Sequence, residues 1–151
     1  MRGILAAVSV GVVLICGLSG CGFPPENYAK HEAAGKDLIS AMNDIADGLE
    51  TIKGKDSVKA GVAKIEKGCA KMEEVAKVLP TLPNISKADD DKLQKQLESE
   101  LKKAEQRMRV ATEAVGKAGE AAKDESFVAA MTRMQKAGTA LQNASNKAKA
   151  K

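Results

Sequence analysis

From Val58 to Leu79 the apolar residues fall four and three apart in turn: Val58, Val62, Ile65, Cys69, Met72, Ala76 and Leu79. That spacing puts all seven on one side of an α-helix, whereas a strand would alternate every second residue. A helix with such a stripe must bury it against something. The same rhythm supplies the partners. Leu38, Met42, Ile45, Leu49 and Ile52 carry it upstream, and Leu97, Leu101, Ala104, Met108, Ala111, Val115 and Ala118 downstream. Phe127, Met131, Met134 and Leu141 form a fourth stripe.

The segments between the stripes are short and rich in helix-ending residues. The first helix is expected from near Glu26 to Lys53. Gly54-Lys55-Asp56 then stops it, with Asp56 as the N-cap of the second helix. Pro80 and Pro83 end the second, because proline lacks the amide proton a helix interior needs. Ser86 caps a third helix, and Asp89 to Asp91 sit near its positive N-terminal end. Lys123-Asp124-Glu125-Ser126 reads as a further turn, with one long bent helix as the alternative. These features predict an all-α, antiparallel up-down-up-down four-helix bundle over residues 28–146. Gly48, Gly54, Gly61 and Gly68 share one flanking position of the repeat. They mark either a close helix–helix approach or surface positions where glycine is tolerated. Residues 147–151 carry Lys147, Lys149 and Lys151 without large apolar groups and are expected to form a flexible basic tail.

The N-terminus obeys a different logic. One basic residue, Arg2, precedes an almost unbroken apolar run from Ile4 to Leu18, followed by small residues. This is the layout of a secretory signal, and the run is shorter than the ~20 apolar residues of a membrane span. The run ends in Leu18-Ser19-Gly20-Cys21, which resembles the lipobox of bacterial lipoproteins. The resemblance implies cleavage after Gly20, with residues 1–20 removed, and diacylglycerol on the Cys21 sulfur. It makes Leu18, Ser19 and Gly20 the cleavage motif and residues 21–27 the lipidated Cys and its tether. Two or three acyl chains anchor stably where one is marginal. Gly22 after the Cys resembles an outer-membrane address in two-membrane bacteria. The alternative is an ordinary cleaved signal with an incidental Cys21.

Cleavage would remove Arg2, so the formal charge of +4 would fall to +3. With two Phe, one Tyr and no Trp in the whole chain, neither a basic field nor aromatic platforms point to nucleic acid. Once Cys21 is lipidated and Cys16 removed, Cys69 is the remaining thiol, and its place in the stripe marks it as core.

Sites for chemistry are hard to assemble. His31 is the sole histidine. His31-Glu32-Ala33-Ala34-Gly35 lacks the second His of a zinc-protease helix, so His31 reads as a solvated residue of the first turns. Asp89-Asp90-Asp91 lacks the spacing of a calcium loop. No catalytic residue, metal ligand or cofactor is expected. Asp37-Leu38 through Lys53, with Met42 early in the helix, resembles the opening helix of soluble b-type cytochrome bundles. That resemblance implies the bundle, while the last helix lacks the His that would complete a haem site.

As a whole the chain resembles small helical lipoproteins of bacterial envelopes. The expectation is a membrane-anchored, non-enzymatic protein that offers its bundle to an envelope protein partner. The alternatives are a membrane-to-wall tether through Lys151, as in murein-linked lipoproteins, and carriage of a small ligand in the bundle. The stripes fit self-association as well as a monomer.

Overall fold

A computed structural model describes residues 24–117 and 119–149 of the chain. Four long helices account for nearly all of them: α1 (Pro25–Thr51), α2 (Val58–Val78), α3 (Lys87–Gly116) and α4 (Glu125–Lys149). Short 3₁₀ segments at Lys55–Ser57, Leu79–Thr81 and Gly119–Lys123 lie in the connections.

Local chemistry sets each boundary. Pro25 takes the first helical position of α1, where its missing amide proton costs nothing. The helix thus begins inside the stretch read as a tether, and residues 25–27 are its first turn. At the next turn the expected cap is replaced. Ser57 Oγ, not Asp56, accepts from the amides of Lys53 and Gly54 at 2.9 and 3.1 Å and donates to the Gly54 carbonyl at 2.8 Å. Ser86 caps α3 as read from the sequence, accepting from the Asp89 amide at 3.1 Å. Gly119, at φ +61°, turns the chain after α3 through a conformation that favours glycine. Asp124 Oδ1 then accepts from the amides of Ser126 and Phe127 at the start of α4. The third and fourth stripes therefore belong to two helices, not one bent helix. α4 runs on to Lys149, through the first residues of the expected tail.

The helix directions alternate, giving an up-down-up-down bundle, but chain neighbours are not always space neighbours. α1 packs closely on α2 and on α3, and α2 on α4, while the backbones of α3 and α4 stand farther apart. The connection after α2 therefore crosses the end of the bundle. α1 and α2 consequently bury wider faces than a single stripe, with Ala34, Ile39, Ala41 and Ala46 added on α1. One continuous core holds side chains from all four helices. Every stripe residue read from the sequence is buried or packed against that core, except Ala118, which lies outside the described residues.

The shared glycines explain the tight α1–α2 pair. A Cβ on Gly48 would stand 2.7 Å from the Gly61 carbonyl oxygen, and one on Gly68 2.6 Å from that of Ala41. Only a hydrogen lets the two backbones approach so closely. Gly54 has open space around it and does not take part.

Candidate interaction surfaces

Polar side chains fix the register of each close helix pair. From α3, Arg107 reaches across to α1, donating to Asn43 Oδ1 at 3.0 Å, Asp47 Oδ1 at 2.7 Å and both Glu50 oxygens. Gln96 bridges Tyr28 and Glu32 nearer the start of both helices. Between α2 and α4, Arg133 grips Glu73 with two bonds of 3.0 Å, a fork-on-carboxylate geometry that adds direction to charge. Between α1 and α2, Asp44 pairs with Lys71 at 2.7 Å and with Lys67 at 3.4 Å. Burial would raise the Asp44 pKa, but the bond to Lys71 and the two positive charges outweigh it and hold the carboxyl low.

Open grooves between described residues interrupt this surface. The first, of about 760 Å³, lies between the last turns of α1 and the second half of α3. It exists because α1 ends at Thr51, roughly level with Arg107, while α3 continues to Gly116. Leu49, Ile52 and Ala111 floor it, and Val110 stands 53% exposed at its edge. Lys103, Arg107, Val110, Ala114 and Lys117 follow a 4-3-4-3 spacing on α3, so they form one ridge of the groove. Arg107 is engaged by Asp47 and Glu50, whereas Lys53, Lys103 and Lys117 make no ion pair among the described residues. The result is an apolar trough with a positive rim. A second groove, of about 650 Å³, runs between the start of α1 and the end of α2, beside Val78, Leu82 and Pro83.

His31 corrects the sequence reading. It is 3% exposed rather than solvated, and its Nε2 lies 2.7 Å from the Pro83 carbonyl oxygen. A carbonyl only accepts, so Nε2 carries the proton. Asn27 Nδ2 makes a parallel bond to the Asn84 carbonyl at 3.2 Å. Together they fasten the α2–α3 connection onto the first turns of α1. Asp90, of the acidic cluster at the start of α3, is fully buried and accepts from Gln94 at 3.3 Å. Stepping back four and then three residues from Leu97 gives Leu93 and Asp90, so the stripe itself held that signal.

Cys69 is buried as expected, and burial pushes its thiol up to about 11. Met42 is a core side chain, 2% exposed. Among the described residues no group of three or more His, Cys, Asp or Glu is placed to hold a metal ion. No described helix is long and apolar enough to cross a membrane. Leu18, Ser19, Gly20 and Cys21 lie outside the described residues. Comparison with protein-family models, with curated proteins and with solved structures yields no match.

Proposed function

We propose that this protein is a non-enzymatic, lipid-anchored envelope lipoprotein whose bundle is held out to a partner protein. The observation that carries the reading is Leu18-Ser19-Gly20-Cys21 directly behind an apolar run, the arrangement that acylation and cleavage at a lipobox require. Three tight inter-helix registers give the mature chain a rigid body, which suits display rather than turnover. The trough between α1 and α3 supplies a face for the partner. Its apolar floor and the lysines at 53, 103 and 117 suit a segment that brings an aliphatic anchor flanked by carboxylates.

Two measurements test the halves separately. Intact-mass analysis of the purified protein should find a chain that begins at an acylated Cys21. Cys21→Ser should abolish acylation and with it the cut after Gly20, so that the chain keeps residues 1–20, and a variant still cleaved at that point would end the anchor half. A photo-crosslinker at Val110 in intact cells should join the chain to one reproducible envelope protein. Self-crosslinks alone would redirect the reading to a spacer.

The tether between membrane and wall is less well supported. The alternating helix directions return α4, which ends at Lys149, to the end of the bundle where α1 begins, and Lys151 lies outside the described residues. A spacer gains most when its two attachment points lie at opposite ends. Small-ligand carriage lacks a supporting observation, since Met42 and its neighbours already fill the space between the helices.

A further inference from the structure

We infer that the trough between α1 and α3 is a seat for one acidic amphipathic helix of the partner protein, lying antiparallel to α3. This inference rests on the partner reading above and adds the form, length, direction and charge of the segment received.

Backbone chemistry selects a helix. Both walls of the trough are α-helices, and their mid-helix amides and carbonyls bond within their own ladders. Such walls offer no strand edge to an extended segment. A strand laid there would press its own polar backbone, unpaired, against Leu49, Ile52 and Ala111. A helix arrives with its backbone satisfied and turns a row of side chains to that floor. The ridge from Lys103 to Lys117 is about 21 Å long, which a guest of roughly four turns covers. Val110 stands in the middle of that ridge, where an aliphatic row on the guest would meet it.

Charge selects an acidic guest. Among the lining residues Lys53, Lys103, Arg107 and Lys117 are cationic, and the one acid, Glu50, is already held by Arg107. An uncharged guest would strip water from the three lysines and return nothing, and a basic one would repel them. Carboxylates on its flanks give each lysine a counter-charge. Pairs at the rim contribute selectivity, while Val110 and the floor contribute affinity.

The same lysines set the direction. α1 and α3 run the same way, and Lys53 and Lys117 lie where each of them stops. Lys103 stands alone farther back along α3. Carboxylates are favoured in the first turn of a helix, at the positive end of its dipole. The guest therefore begins beside Lys53 and Lys117 and runs back along α3 toward Lys103.

The test uses the full chain in phosphatidylcholine nanodiscs and labelled peptides of about 15 residues, read by fluorescence anisotropy with empty discs subtracted. One peptide carries leucines four and three apart with glutamates on both flanks. A second has lysine in place of glutamate, and a third is the first with a central proline. The glutamate peptide should bind in preference to both others, and less tightly as salt is raised. Val110→Asp should weaken it about tenfold, the loss of one anchoring contact. Lys103→Glu combined with Lys117→Glu should reverse the preference toward the lysine peptide. The helical spectrum should not change, because these side chains are exposed. Equal binding of the proline peptide would overturn the helical guest, and equal binding of the lysine peptide the acidic one. No binding of the glutamate peptide, or binding indifferent to Val110→Asp, would overturn the seat. The partner reading is decided separately, by what the crosslinker at Val110 captures in cells.

Discussion

His31 Nε2 and the Pro83 carbonyl oxygen, 52 positions apart in the chain, meet at 2.7 Å and tie the start of α1 to the crossing between α2 and α3. The bond from Asn27 to the Asn84 carbonyl and the buried Ile85 hold the same crossing, in which Pro80 and Pro83 have no amide proton to donate.

Replacing His31 with Leu keeps the volume roughly filled but leaves the Pro83 carbonyl without its donor. The expected loss is about 1–2 kcal/mol of stability, read as a lower urea midpoint with an unchanged slope. Hydrogen exchange should quicken in residues 79–86 before it changes elsewhere. A variant as stable and as protected there as the parent would remove the latch from this account.

Two glycine-to-alanine changes should act in opposite directions. Both glycines lie inside helices, where alanine gains up to about 1 kcal/mol in propensity. At Gly138 nothing stands within 4 Å of the added methyl, so that gain should appear. At Gly68 the methyl would press on the Ala41 carbonyl and on Ile45 Cγ1 at 2.5 Å. Forcing α1 and α2 apart should cost about 1–3 kcal/mol, more than the propensity returns. Thermal melts of the two variants beside the parent decide it.

Acid should loosen the bundle in a defined direction. Asp44 is held low by Lys71 and Lys67 against the effect of burial, and Glu73 is held low by the two hydrogen bonds it accepts from Arg133. A carboxyl whose pKa is depressed in the folded state stabilises the fold above its unfolded value. That contribution is lost as the pH falls through the folded value. Stability should therefore be level near neutrality and decline below about pH 4, where unperturbed carboxylates protonate. Glu105, raised by burial, works the other way and softens the decline. Glu73→Gln should flatten part of the pH dependence in urea titrations.

Cys69 should be chemically silent until the protein unfolds. It is fully buried, and burial raises the thiol to about 11, so little thiolate exists near neutral pH. Ellman's reagent should find no reactive thiol in the native lipidated protein and one in denaturant. Rapid native labelling would show that the α2 stripe opens locally.

The stripes of α1, α2 and α4 could be read from spacing alone because helical periodicity is a local property, set within a few turns by which residues shun water. The caps were half legible. Ser86 acts where its position suggested, but the turn after α1 is organised by Ser57 rather than Asp56, since the choice depends on how the chain bends and not on cap preference. The burial of Asp90 is legible only when the α3 stripe is continued backward through Leu93.

What the sequence determined by itself was four apolar stripes, the helical faces they make and the order in which they run, all consequences of short-range geometry. Only the tertiary structure decided that α1 sits against α3 and α2 against α4, that Gly48, Gly61 and Gly68 but not Gly54 bring backbones together, and that His31 is buried. Those outcomes depend on which faces meet, and a face becomes tight or wet only when its partner from tens of residues away has arrived. The trough beside Val110 has the same origin: it is the space left where α1 stops and α3 does not.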